Sequence, residues 1–313
     1  MLYLAHGLRL NCSFPLPGMP PVARAGEDLP PLAIDLRAPQ QLEETWSGAD
    51  GPPEWRGRQG DGRELAIERG RAGDVLFTYD ELARFRLDAD MRRLECAPGG
   101  PDLDWQRLLI GKVIPSISVM RGYEGLHAAA VQAPDGVVAI MAQSGSGKST
   151  LALELMSRGW PLFADDTLML REHAGEVRAH PGTPHMNLAA DALEPRRLGE
   201  TIGVLAGERW LAAHATAAEP RQVRMLCLLE RAAGQPLELQ ALPANPLALA
   251  PFMLGLSVDP QRRAGRFCLY SNLSESATLV RLSAGLEHRP QQLADLIEQA
   301  LASERRLVAG GIG

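Results

Sequence analysis

Cysteine is scarce in this chain and never clustered. Its four cysteines, Cys12, Cys96, Cys227 and Cys268, form no Cys-x-x-Cys pair, which excludes a zinc knuckle and a disulfide framework and reads as reduced thiols of a cytoplasmic protein. Long hydrophobic runs are missing too, so no segment is expected to span a bilayer. The opening Met1 to Leu10 is short and interrupted by His6 and Arg9, unlike a signal peptide. An excess of positive charge is also absent. The formal net charge of -6 supplies no general attraction to nucleic acid or to an anionic membrane, and neither is expected as a partner. Internal repeats and long low-complexity tracts are lacking as well.

What is present is ordinary globular composition, 45% hydrophobic and 22% charged over 313 residues, enough for one large domain or two modest ones. Residues 1–100 are rich in Pro and Gly, with short apolar alternations at Leu4 to Leu10, Leu32 to Leu36 and Leu65 to Ile67. Val75 to Tyr79 and Ala83 to Leu87 read as paired strands. A small β-rich N-terminal domain is therefore expected, followed by a linking helix within 101–125. That helix spans Leu103 to Met120, ended or kinked at Pro115. From 126 onward, strands at Ala128 to Val131 and Val137 to Ala142 flank the turn Pro134-Asp135-Gly136. Later strands are expected at Arg224 to Glu230 and Ala277 to Leu282. An amphipathic helix starts at Pro290, and the last five residues read as a disordered tail. The fold class expected is α/β.

Between Ala142 and Ser149 the chain reads Ala-Gln-Ser-Gly-Ser-Gly-Lys-Ser, the phosphate-loop pattern with Ala for its first Gly. The loop follows the apolar strand Val137 to Met141 and opens a helix carrying Leu151, Ala152, Leu155 and Met156, which is the setting the pattern requires. Small residues let backbone N–H groups converge on phosphate oxygens at a helix N-terminus, where the dipole also favours negative charge. The nucleotide-binding residues are therefore Gln143, Ser144, Gly145, Ser146, Gly147, Lys148, Ser149 and Thr150. Lys148 reaches the β- and γ-phosphates of ATP, and the Ser149 hydroxyl serves Mg²⁺. Gly159 is placed to cap the helix. A dinucleotide fold is disfavoured because Thr150 stands where a third glycine belongs.

Past the helix, Trp160 to Ala164 reads as a buried strand whose end delivers Asp165 and Asp166 beside the loop. Two adjacent carboxylates there call for a cation. One can take the proton of an attacking hydroxyl while the other holds Mg²⁺. His127 lies at the start of the strand before the loop and, taken alone, reads first as a hydrogen-bonded framework residue. His173, His180, His185, His214 and His288 have no metal-ligand spacing and read as surface or structural. Arg196-Arg197 and Arg262-Arg263-x-x-Arg266 are the basic clusters best suited to an anion, though a solvated loop is the safer reading.

Leu126-His127 to Val131, Ser144 to Thr150, Leu153-Glu154-Leu155, Arg158-Gly159 and Phe163-Ala164-Asp165-Asp166 together resemble the catalytic domain of HPr kinase/phosphorylase. The resemblance implies an ATP-dependent protein serine kinase with a fold related to PEP carboxykinase. It makes Asp165 the base, Asp166 its acidic partner on the Mg²⁺ side, and His127 a neighbour of the transferred phosphate. Two segments of the bifunctional enzyme, Glu-Ile-Arg-Gly-x-Gly and Pro-Gly-Arg-Asn, have no counterpart here, so the resemblance carries neither HPr as acceptor nor phosphorylase activity. Gly7 to Leu10 with Pro15-Leu16-Pro17, Pro181-x-x-Pro184 and Val223 to Arg231 are similar to HPr-kinase-related proteins. Some of those phosphorylate the C-terminal serine of a lasso-peptide precursor. The expected partner is thus a peptide or protein bearing an acceptor serine, with room for a homo-oligomer. An HPr-type kinase, a small-molecule kinase and a non-catalytic nucleotide-binding regulator remain as alternatives.

Overall fold

The structure is a computed structural model that describes residues 1–23, 29–58, 62–189, 197–205, 207–254 and 260–310. Among the described residues, the first part of the chain folds into strands β1 (Leu2–Ala5), β2 (Leu8–Cys12) and β3 (Pro31–Leu36), helix α1 (Pro39–Thr45), and strands β4 (Trp55–Arg58), β5 (Glu64–Arg69), β6 (Val75–Tyr79), β7 (Ala83–Leu87) and β8 (Arg93–Pro98). They form one sheet in the order β1-β2-β3-β8-β7-β6-β5-β4. The β6–β7 hairpin matches the sequence expectation residue for residue. The alternation from Leu4 to Leu10, however, is split into two strands. His6 and Gly7 both take positive φ, 53° and 76°, which makes the tight two-residue turn that suits the twist of a hairpin. A Cβ on Gly7 would stand 2.3 Å from the Tyr123 ring, whose hydroxyl donates to the Gly7 carbonyl at 2.8 Å. The turn is thereby clamped to the second half of the chain.

Helix α2 (Asp102–Leu108), a π turn (Leu109–Val113) and helix α3 (Ile114–Met120) follow without a break. Pro115 was expected to end or kink this segment. Proline lacks an N–H and its ring crowds the carbonyl four residues back; the widened π turn before it gives that carbonyl room, and the helix continues. The segment is more than a link. Trp105, Leu108, Leu109, Ile110, Val113, Ile114 and Ile117 pack with Phe77 and Phe85 in the core of the first sheet.

The chain then runs through β9 (Glu124–Leu126), β10 (Ala129–Ala133), β11 (Gly136–Met141), α4 (Lys148–Ser157), β12 (Leu162–Ala164), β13 (Leu168–His173), β14 (Glu176–His180), β15 (His185–Ala189), β16 (Gly199–Leu205), β17 (Glu208–Ala213), β18 (Arg221–Arg231), β19 (Glu238–Ala241), α5 (Pro260–Ser276), β20 (Thr278–Ala284) and α6 (Pro290–Gly310). A second sheet has the order β12-β10-β11-β18-β14-β13-β9, with β20 on β18 and β19 on β20, while β15, β17 and β16 form a small third sheet. Every residue of β11 is buried, as expected of a strand covered on both faces. Val138 and Ile140 face the core shared with α4 and α6, and Val137, Ala139 and Met141 the core shared with α5. Gly159, with φ 92°, ends α4 as anticipated. Arg158 beside it ties α4 to α6 through Asp295 (2.7 Å) and Glu298 (2.8 Å).

Strand direction places the site. β11 and β18 are parallel, and β12 is antiparallel to β10, itself antiparallel to β11. The carboxyl ends of β11, β12 and β18 therefore meet at one edge of the sheet, where open α/β sheets bind ligands. Among the described residues no helix is long and apolar enough to cross a membrane. Residues 311–313 of the expected disordered tail lie outside the described residues.

Candidate active site

The loop after β11 is shaped by its two glycines. Gly145 (φ 79°) and Gly147 (φ 88°) occupy the left-handed region, which side chains disfavour. Nothing stands within 4 Å of where a Cβ on Gly145 would be. The loop and the first turn of α4 thus offer an open run of backbone N–H groups, suited to phosphate oxygens. Gln143, Ser144, Gly145 and Thr150 are exposed, whereas Lys148 is only 8% exposed and its Nζ lies 3.7 Å from Asp166 Oδ1.

Asp165 and Asp166 follow β12, and Asp166 itself takes φ 61°, a left-handed conformation uncommon outside glycine. The Ser149 hydroxyl donates to Asp165 Oδ1 at 2.9 Å. Asn187 joins the pair: its backbone N–H donates to Asp165 Oδ2 at 2.9 Å, and its side-chain amide donates to Asp166 Oδ2 at 2.8 Å. Arg107 holds the other end of that amide, donating to Asn187 Oδ1 at 2.8 Å and to the Leu205 carbonyl at 2.9 Å, and pairing with Glu208. A chain of hydrogen bonds thus runs from the first sheet's helical segment to both carboxylates.

The two acids are driven apart in proton affinity. Burial, then repulsion from Asp166, pushes the Asp165 carboxyl up to about 7, against the pull of Lys148, Asn187 and Ser149. For Asp166 burial also acts upward, but Lys112, Lys148 and His127, with the Asn187 hydrogen bond, outweigh it and hold the group below its ordinary value. Carboxylates with affinities so separated mark acid and base roles. His127, just before β10, donates from Nδ1 to the main-chain carbonyl of Asp166 at 2.9 Å, leaving Nε2 with its lone pair. Burial, then Lys148, lowers its proton affinity, against the pull of Asp166.

These residues fit a phosphate-bound divalent cation. Among the described residues no three His, Cys, Asp or Glu converge as a metal cage. A hydroxyl and a carboxylate at a phosphate loop are instead the hard oxygen donors that suit Mg²⁺ when phosphate and water complete its shell. Ser149, expected to share the cation with Asp166, bonds instead to Asp165, and Asp166 faces Lys148.

A cavity of about 610 Å³ opens beside the carboxylates. It is lined by Asp165, Asp166, His127 and Ser144 and, from the first part of the chain, by Arg63, Asp104, Arg107 and Lys112. His6 and His185 also line it and are 3% and 6% exposed. His185 donates from Nε2 to the Pro17 carbonyl at 2.7 Å and stacks on Trp210. The reading of His185 as structural is sound, but it is no surface residue.

The basic clusters proposed from sequence do not gather here. Arg262 and Arg266 lie on α5 and pair with buried Glu124 at 3.4 and 2.7 Å. A buried carboxylate needs such partners, so they are neither a solvated loop nor an anion site. Arg196 lies outside the described residues, and Arg197 is exposed. Asn187, Arg107 and Lys112 were missed because no motif surrounds them.

No family model matches the chain, and no curated protein matches it. Among solved structures, an Hpr(Ser) kinase/phosphatase from Coxiella burnetii is similar at 17% identity and a TM-score of 0.33, over 59% of this chain and 98% of that one. A likeness that loose carries neither fold nor function, and the site must be judged on its own residues.

Two outcomes follow from this geometry. Asn187→Ala removes a donor from Asp166 and the anchor of Arg107. Hydrogen bonds to charged groups contribute about 1.5–3 kcal/mol, so any reaction served by these carboxylates should slow roughly 10- to 100-fold; an unchanged rate constant would show that the carboxylates need no such brace. The second concerns acid stability. Burial lowers the proton affinity of His6, His180 and His185 to about 4, so between their unfolded value of about 6.5 and pH 4 the unfolded chain binds more protons and stability falls with pH. Asp165 acts oppositely in that window, as one group against three. Urea melts at pH 7 and pH 5 should give a lower midpoint at pH 5, and a higher one would contradict the neutral burial of these histidines.

Proposed function

We propose that this chain is a Mg²⁺-ATP-dependent phosphotransferase that delivers the γ-phosphoryl group to a hydroxyl, with a peptide or protein serine as the acceptor. One observation carries the reading: a phosphate loop and two carboxylates of opposed proton affinity stand at the same sheet edge, beside a cavity large enough for an acceptor. The acceptor oxygen attacks the γ-phosphorus, its proton passes to Asp165, and the bond to the bridging oxygen breaks with its electrons left on ADP. Asp165 suits the base because its affinity lies near neutrality. Asp166, held ionised, and Ser149 would hold Mg²⁺, which when bound neutralises phosphate charge. Lys148 binds the phosphates, and His127, fixed by its bond to the Asp166 carbonyl, presents Nε2 toward the transferred group.

The cavity shapes the choice of acceptor. A serine on a flexible segment, such as the C-terminal serine of a lasso-peptide precursor, can reach carboxylates inside an enclosed space better than a serine on a folded surface. The same cavity favours a second reading, a small hydroxylated molecule, since its volume falls within the range of small-ligand sites. The test is transfer from γ-labelled ATP to a serine-terminated peptide, a folded HPr-type protein and small polyols, with products weighed by mass spectrometry. Phosphopeptide supports the first reading and phosphopolyol the second. ATP binding without transfer to any of them would leave a nucleotide-binding regulator.

A further inference from the structure

β18 pairs with β11 in parallel as far as Met141 opposite Leu228. It then continues for three more residues, so its last residue, Arg231, comes to stand beside the phosphate loop, on the side away from β12 and the aspartates. The Nη1 of Arg231 lies 3.6 Å from where a Cβ on Gly147 would be. Its Nη2 donates to the main-chain carbonyls of Gly285 (2.9 Å), Leu286 (3.1 Å) and His288 (2.8 Å). The turn that offers them is itself braced, because the Gly285 N–H donates to His288 Nδ1 at 2.9 Å. The Nε is buried and has no partner among the described residues.

This arrangement is unusual in what it omits. Carbonyl oxygens orient a guanidinium but do not neutralise it, and among the described residues no carboxylate pairs with Arg231. Glu230 beside it is taken by Arg281 at 3.2 Å, and Glu287 lies against His288. By contrast Arg158, Arg262 and Arg266 are all matched to acids. A rigid, uncompensated cation next to a loop of inward N–H groups suits an anion, and arginine's planar fork suits phosphate in particular.

We propose that Arg231 is a nucleotide-binding residue that grips the non-transferred phosphates of the bound nucleotide, from the side opposite the catalytic carboxylates. The inference rests on the phosphotransferase reading above. Standing on the β18 side of the loop, Arg231 would touch the part that ATP and ADP share, so its loss should weaken both alike.

Titration of Mg-ADP and Mg-ATP into the wild-type chain and the Lys148→Ala, Arg231→Lys and Arg231→Ala variants tests this. Arg231→Ala should weaken both nucleotides by about 10-fold or more, with Arg231→Lys in between. Because Arg231 also holds the turn at residues 285–288, phenylglyoxal labelling of the wild-type chain serves as a readout free of folding effects. Mg-ADP should protect Arg231. Wild-type affinity in both Arg231 variants, or labelling of Arg231 indifferent to ADP, overturns the inference. Failure of the wild-type chain to bind ADP, or full binding by Lys148→Ala, instead overturns the reading of the site itself.

Discussion

Asp165→Asn is expected to lower phosphoryl transfer by about 10²–10⁴-fold, the range over which a positioned base contributes, while ATP affinity stays close to that of the wild type. The substitution keeps the side chain's shape and an oxygen for the Ser149 hydroxyl, but it removes the proton acceptor. It also removes a charge that is costly where it stands. Burial and the neighbouring Asp166 carboxylate both oppose ionisation of Asp165, whereas the variant's amide NH2 would meet the Asn187 N–H that Asp165 Oδ2 now accepts, so the melting temperature of the variant should stay close to that of the wild type. Single-turnover transfer, nucleotide titration and thermal melts measure the three quantities. A variant with near-normal transfer would exclude Asp165 as the base, whatever its affinity for protons.

Lys148→Ala should be damaging in a different way, by striking binding and transfer together. Lys148 is almost fully buried at the start of α4, and its charge faces both the phosphate loop and Asp166, 3.7 Å away. Losing a charge-assisted contact to phosphate weakens ATP by roughly 10- to 100-fold, and losing charge stabilisation as the phosphoryl group moves costs about another 10²–10³-fold in rate. Asp166, deprived of a nearby cation, should also become easier to protonate. The comparison of the two variants is diagnostic: Asp165→Asn separates rate from affinity, whereas Lys148→Ala lowers both. Equal ATP affinity in Lys148→Ala and wild type would mean that the loop holds something other than a triphosphate.

Much of the site was legible from local spacing because its physics is local. A strand, a loop with glycines at two left-handed positions and a helix form a contiguous stretch from Gly136 to Ser157, and Gly159 closes it. The β6–β7 hairpin was legible for the same reason, since alternation over ten residues specifies which side chains face inward. Pro115 misled because proline's effect depends on the turn before it, and a π turn absorbs the clash that an α turn cannot. The arginines misled because charge clusters in sequence do not reveal their partners. Arg262 and Arg266 are matched to Glu124, about 140 positions away, while Arg231, which stood in no cluster, lies at the loop.

By itself, then, the amino-acid sequence determined the glycine-bearing loop after β11, its helix and the acidic pair at the end of the next strand, because each is set by a few consecutive residues and the backbone conformations they permit. Only the tertiary structure decided how the carboxylates differ, what braces them and what stands opposite. Asn187 reaches Asp165 and Asp166 across 22 and 21 positions, Arg107 reaches Asn187 across 80, and Lys112 and Arg63 line the same cavity from still other elements. Proton affinity follows from burial and from charges brought near by folding, and neither can be read along the chain.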